Sequence, residues 1–227
     1  MIRVLLADDH AAVRAGLRFL LESAADLEVV AEVGDGASAV ERARALRPDV
    51  VLMDVRMPGT DGITATAAIT AEGLAEVLVL TTFDLDDYVT GALGAGAAGY
   101  LLKSAEPHEL LDAVRRVADG DGVLAPEVTR RVIRALAATV PASSPPPGPA
   151  PATDTRVEAL TPRERDVLAA LGRGLTNQQI ATELFVSAAT AKTHVSRVLM
   201  KLGVTSRVQA ALVARDVGEH LRGSSGA

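Results

Sequence analysis

The sequence predicts a doubly wound α/β domain on a five-stranded parallel sheet, joined by a proline-rich linker to an all-α domain of four short helices. Three observations carry this reading. Short apolar runs alternate with helix-like stretches throughout residues 1–120, the order that builds a parallel sheet covered on both faces. Pro141-Ala142-Ser143-Ser144-Pro145-Pro146-Pro147-Gly148-Pro149-Ala150-Pro151 cannot pack a core and reads as an extended, semi-rigid tether. Beyond it, capping boxes open successive short helices. The expected domains are 1–120 and 157–220, with residues 121–156 between them as a helical extension and linker.

In chain order, Ile2–Ala7 reads as strand, Ala11–Glu22 as helix, Glu28–Val33 as strand and Ala37–Leu46 as helix. Gly34 and Gly36 fit turns, and Pro48 fits the loop before strand 50–53. A helix near Ile63–Ala71, strand 77–80, a helix near Leu85–Leu93, strand 99–102 and helix Glu106–Asp119 complete five βα units. Gly94-Ala95-Gly96-Ala97-Ala98-Gly99 matches the dinucleotide fingerprint, but here a helix ends and a strand begins, the reverse of the order that motif needs. Close approach of helix and strand is the better explanation of its small residues. Pro126–Thr139 continues as a helix with Val128, Val132 and Leu136 on one face.

In the C-terminal segment, Thr161-Pro162-Arg163-Glu164 supplies an N-cap, a first-turn proline and a returning glutamate. Thr176-Asn177-Gln178-Gln179 repeats the device with glutamine. Ser187 starts a third helix that ends near Leu202-Gly203, and a fourth runs from Ser206 to Asp216. Along the third, Ala191, Val195, Val198 and Leu202 form a buried face, with Lys192, Thr193, Ser196 and Arg197 opposite, Lys201 alongside and no acid from 187 to 203. Such a face suits a DNA major groove, where base edges carry a readable code and phosphates flank it. An ordinary solvated helix face reads equally well from this pattern.

Composition narrows the classes. Aromatics are 2% of the chain, with no Trp, so there is no base-stacking platform of the kind single-strand and RNA binders use. The absence of cysteine excludes disulfides and thiolate metal sites. Asp8-Asp9 interrupts the N-terminal apolar run, which fits neither a signal peptide nor a membrane span, so a cytoplasmic protein with no membrane association is expected. The net charge of −6 hides an asymmetry: residues 1–156 carry −9 and residues 157–227 carry +3. The mildly basic C-terminal segment is compatible with DNA and insufficient to show it.

The chemistry lies at strand ends. Val50-Val51-Leu52-Met53 stops at Asp54, followed by the turn Met57-Pro58-Gly59, and Val4-Leu5-Leu6-Ala7 stops at Asp8-Asp9. Clustered carboxylates repel unless a cation joins them, and hard oxygen ligands suit Mg²⁺. Strand 77–80 ends on Thr81-Thr82, and Tyr100-Leu101-Leu102 ends on Lys103. Acid pair, lone acid, hydroxyl and lysine at successive strand ends form a phosphoryl-handling set. An Asp-nucleophile phosphatase would need a second acid two residues after Asp54, and position 56 is Arg.

With LADDH, LMDVRMPGTDG, VLTT and GYLLK in these places, residues 1–120 resemble the flavodoxin-like receiver domain of two-component response regulators. LTPRERDVLAALGRGLTNQQIATELFVSAATAKTHVSRVLMKLGV is similar to the LuxR-type helix-turn-helix, and the combination resembles the NarL/FixJ class. That resemblance implies a phosphorylation-dependent transcriptional regulator, modified on Asp54 by a sensor histidine kinase, rather than an enzyme turning over a substrate. It implies Mg²⁺ held by Asp9, Asp54 and the backbone carbonyl of Arg56, with Asp8 acting through water or orientation. Lys103 and Thr81 would meet the phosphoryl oxygens, with Tyr100 swinging inward as Thr81 moves. Lys192, Thr193, Ser196, Arg197 and Lys201, with Thr176 and Asn177, would face double-stranded DNA, bound as a homodimer paired through Val208, Ala211 and Leu212. Ala191, where the family usually has a β-branched residue, and Ser104, where proline is frequent, depart from the pattern. A constitutive DNA-binding protein with a purely structural receiver is the rival reading.

Overall fold

The computed structural model describes residues 1–81, 91, 94–124 and 153–223. The chain divides into two compact units, Met1–Ala135 and Leu136–Ala227.

In the first unit the strands are β1 (Ile2–Ala7), β2 (Leu27–Val33), β3 (Val50–Asp54), β4 (Glu76–Thr81), β5 (Gly99–Leu102) and β6 (Val123–Leu124). All pair in parallel, in the order β2-β1-β3-β4-β5-β6. The five expected strands are present, and the sixth is a two-residue addition that pairs Val123 with Gly99 and Leu124 with Tyr100. It was not legible because two residues carry no periodicity. The helices are α1 (Ala11–Glu22), α2 (Gly36–Leu46), α3 (Gly62–Ala71) and α4 (Pro107–Ala118). The helices expected near 85–93 and through 126–139, and the tether at 141–151, lie outside the described residues.

Alternation along the central strands feeds two cores. Val4, Leu6, Val50, Leu52, Leu78 and Leu80 join Leu21 of α1 and Leu110, Val114 and Val117 of α4. The intervening Leu5, Val51, Met53, Val77 and Val79 are equally buried and turn to the other face, where Ala39 and Ala43 of α2 and Ala65 and Ile69 of α3 are also buried. Each fully buried Leu or Val stabilises by about 1.5–3 kcal/mol, so a core that is largely aliphatic, with Tyr100 as a fully buried aromatic, suffices. Gly99 explains the small-residue run before β5: a Cβ there would meet Val123 O at 2.8 Å and Leu78 Cδ1 at 3.0 Å.

The second unit contains α5 (Thr153–Glu158), α6 (Pro162–Gly172), α7 (Asn177–Leu184), α8 (Ala188–Leu202) and α9 (Arg207–Gly223). α5 was not expected, and α9 runs past its expected end at Asp216. Both capping boxes form as the sequence implies, with Thr161 accepting from Glu164 N and Thr176 from Gln179 N. Ser187 caps α8 by accepting from Thr190 N. Val167, Leu171, Ile180, Leu184, Val195, Val198 and Leu202 close one core among the helices.

Candidate functional site

Register brings the first cluster together. Ala7 pairs with Met53, Asp54 with Leu80 and Thr81 with Leu102, so Asp8, Asp54, Thr81 and Lys103 all stand at the carboxyl rim of the sheet. This is the edge at which open α/β sheets bind ligands. The backbone then tightens: Lys103 N donates to Thr81 O at 2.8 Å, and Gly62 N donates to Val55 O at 2.9 Å. The start of α3 presses so closely on Asp54 that a Cβ on Gly62 would lie 1.9 Å from the Asp54 carbonyl oxygen.

Within the cluster, Lys103 Nζ lies 2.7 Å from Asp8 Oδ2 and 2.8 Å from Asp54 Oδ2. Asp54 is buried, and loss of water raises its pKa; the hydrogen bond and charge of Lys103 oppose this, while the Asp8 charge adds to it. Burial pulls the Lys103 ammonium down, but its bonds and charge contacts with Asp54 and Asp8 outweigh that, and the net shift is upward. Thr81 is 5% exposed and Tyr100 fully enclosed, its phenol pushed up by burial. The Tyr100 ring already occupies the interior, where the resemblance had it arriving only as Thr81 moves. Asp9 is partly exposed and lines an open cleft of about 350 Å³ with Val55, Arg56, Met57, Pro58 and Asp61.

One ligand atom from each of Asp8, Asp9, His10 and Asp54 lies within 4.8 Å of all the others. Asp8 Oδ2 is buried and, apart from its ion contact with Lys103, receives no well-directed hydrogen bond. A set of closely spaced carboxylates rich in oxygen fits a hard divalent cation.

On the second unit, Lys192, Thr193, Ser196 and Arg197 are all exposed on α8. The Thr193 hydroxyl donates to Ala189 O at 3.0 Å and Ser196 to Lys192 O at 3.1 Å, leaving their oxygen lone pairs to accept from outside. Thr176 sits half-buried at the N-cap of α7.

With this geometry in view, comparison with known proteins is decisive. Residues 4–115 match the response regulator receiver domain, and residues 158–214 match the luxR family of bacterial regulatory proteins. The transcriptional regulatory protein LiaR of Bacillus subtilis (strain 168) is 41% identical over 215 residues, covering 94% of this chain and 97% of that protein. The chain belongs to the LuxR-type response regulators. The nitrate/nitrite response regulator protein NarL of Escherichia coli (strain K12) is 37% identical, covering 92% of this chain and 93% of its own length. Among solved structures, the response regulator ChrA of a heme-sensing two-component system shares 42% identity with a TM-score of 0.53, over 95% of this chain and 96% of that one. The family consists of transcriptional regulators rather than conventional enzymes, and no described helix is long and apolar enough to cross a membrane.

Two expectations for this regulator's DNA-binding unit need correction, those for Asn177 and Val208. Asn177 is 6% exposed and faces Arg207, its Oδ1 3.5 Å from Nη1, so it packs within the unit rather than offering itself to a duplex. Lys201 is exposed, with Nζ 2.6 Å from Glu164 Oε2 of α6. Val208 is buried and cannot lead a pairing surface, while Ala211 and Leu212 remain half-buried. Sequence reasoning also missed two residues of the receiver site. His10 Nδ1 lies 2.5 Å from Asp9 Oδ1, and Arg14 Nη1 donates to Asp8 O at 2.5 Å. His10 stood inside LADDH, and a nitrogen ligand beside two acids was the available signal; Arg14 had none.

Proposed function

We propose that this regulator is switched by a phosphoryl group that Asp54 accepts from a sensor histidine kinase. The observation that supports it most is the placement of Asp54: a buried carboxylate at a strand end, 2.8 Å from a lysine and beside two further acids. Mg²⁺ would be held by Asp9, Asp54 and the Arg56 carbonyl, with Asp8 orienting the set; it would supply positive charge to offset that of the incoming phosphoryl group. Asp54 Oδ attacks the phosphorus in line, and the leaving group departs with its electron pair. Lys103, released from Asp54 as that oxygen becomes an acyl phosphate, follows the new negative charge as a point cation. Thr81, one strand over, donates its hydroxyl to a phosphoryl oxygen, and Tyr100 responds to its displacement.

The output is double-stranded DNA read by a dimer, which places the protein's work in the cytoplasm. Lys192, Thr193, Ser196 and Arg197 form the facing surface, with Thr176 at its edge. A structure described as two RcsB dimers bound to two parallel DNAs is 26% identical with a TM-score of 0.53, and it supports the dimeric reading. The domains would run over 1–120 and 157–220 with 121–156 as the connection.

The test is labelling with a small phosphodonor in Mg²⁺. Asp54→Asn should abolish acid-stable, base-labile label, and Lys103→Ala should retain label while losing the DNA-binding response. Undiminished label on Asp54→Asn would move the acceptor elsewhere. DNA binding equal in labelled and unlabelled protein would favour the constitutive reading.

A further inference from the structure

We propose that His10 makes the acidic pocket a mixed nitrogen–oxygen site, which holds borderline divalent cations such as Co²⁺, Ni²⁺ and Zn²⁺ more tightly than its carboxylates alone would. The inference rests on the reading of Asp9 and Asp54 as cation ligands. The His10 side chain is 69% exposed, yet its Nδ1 lies 2.5 Å from Asp9 Oδ1 and 3.7 Å from Asp8 Oδ1. Ligand atoms that share one such ion at about 2.0–2.2 Å can be no more than about twice that distance apart. The set Asp8, Asp9, His10 and Asp54, already within 4.8 Å, needs only small side-chain movements to close.

Two further facts give His10 this role. Its backbone occupies the N-cap of α1 and its amide donates to Asp8 Oδ1 at 2.9 Å, but the imidazole makes no capping bond. The helix therefore fixes the residue at the rim without using its ring. The carboxylate of Asp8 is 2% exposed, with Oδ2 held by Lys103 at 2.7 Å and Oδ1 on the side of His10. Lys103 approaches Asp8 and Asp54 from their Oδ2 atoms, whereas His10 approaches Asp8 Oδ1 and Asp9 Oδ1, so lysine and cation need not compete for the same oxygens. Carboxylate and carbonyl oxygens suit Mg²⁺, while imidazole adds preference for the later first-row ions. The consequence is a receiver whose cation occupancy, and hence readiness for phosphorylation, responds to transition-metal supply.

The full-length chain would be titrated with Mg²⁺, Co²⁺ and Zn²⁺ by calorimetry, and with Co²⁺ by visible absorption, alongside His10→Gln. Loss of the imidazole should weaken Co²⁺ and Zn²⁺ by at least about tenfold, as loss of a ligand-shell group commonly does, and change Mg²⁺ by less than about twofold. Asp9→Asn, which removes a carboxylate of the same set, should abolish the wild-type Co²⁺ signal. Equal weakening of all three ions would show that His10 only positions Asp9, and unchanged affinities would remove it from the site; both overturn the proposal. So would a Co²⁺ signal that survives Asp9→Asn, which would mark binding at His108, His194 or His220. Failure of the wild type to bind Mg²⁺ at all would instead overturn the underlying reading of the pocket.

Discussion

Each half of this molecule contains a buried carboxylate held against a lysine, and the two pairs are built to opposite ends. In the receiver, Lys103 is shared between Asp8 and Asp54, and burial raises the Asp54 pKa despite that contact. In the DNA-binding unit, Lys201 meets Glu164 alone. Glu164 also accepts from Thr161 N at 2.8 Å in the capping box, and with Lys201 foremost these contacts hold its pKa down at about 2. The same two functional groups give a carboxylate that gains by being modified in one place and one that gains by being left alone in the other. The difference lies in the number of partners: one lysine for two buried acids, against a lysine and a backbone amide for one.

The largest effect should come from disturbing the wall behind Asp54. Gly62→Ala puts a Cβ against the Asp54 carbonyl at a distance no side chain can accept, and backbone cannot swing away as a flexible side chain can. The cost should reach or pass the upper end of the about 1–3 kcal/mol usual for overpacking. Gly174, which has a positive φ of 75° but no atom within 4 Å of a Cβ, gives the control. Gly174→Ala should cost only about 1–2 kcal/mol of left-handed strain. Urea unfolding of both variants measures the contrast, and Gly62→Ala unfolding like wild type would contradict the close approach.

A smaller effect separates the two lysines. Lys103→Met leaves two buried acids without their cation, and Mg²⁺ should restore much of the lost protection. Lys201→Met releases Glu164 from α8, and Mg²⁺ should do nothing. Hydrogen exchange read separately over residues 1–81 and 157–223 distinguishes them. A Mg²⁺ response in the Lys201 variant, or none in the Lys103 variant, would erase the contrast between a cation site and a structural clasp.

These two pairs also mark how much could be read before the structure. Asp54, Asp8, Thr81 and Lys103 were legible because parallel strands of similar length deliver their C-terminal residues to one rim, so a pattern local to each strand becomes a statement about space. The capping boxes were legible because their partners are three residues apart. Glu164–Lys201 was not: 37 residues separate them, and the approach depends on how α6 packs on α8. Asn177 and Val208 were misjudged for a related reason, since each stands in the first turn of its helix, where which face is covered depends on packing against distant helices. β6 escaped because two residues carry no pattern at all, and α5 because the stretch around it reads as linker.

The smallest and most specific expectation concerns acid. For Glu164 the folded pKa, about 2, lies below its ordinary 4.5, so the fold favours the charged form. Its contribution is complete above about pH 4.5 and is lost as pH falls toward 2. For Asp54 the folded value lies above the ordinary 3.8, so the fold disfavours the charged form, and stability is lost as pH rises from 3.8 through the raised value. The receiver also contains Asp26, held at about 2 chiefly by its hydrogen bond to Arg115, whose acid loss runs the same way as that of Glu164. Wild-type slopes therefore mix opposing contributions, and the variants must carry the test. Glu164→Gln should flatten the acid loss of the DNA-binding unit between pH 4.5 and 2. Asp54→Asn, in chelator, should gain on wild type in melting temperature as pH rises from about 4 to neutrality. Added Mg²⁺ should narrow that gap by stabilising wild type alone. A constant difference between Asp54→Asn and wild type across the range would mean that the Asp54 charge costs the receiver nothing, and that its readiness to be modified does not come from burial.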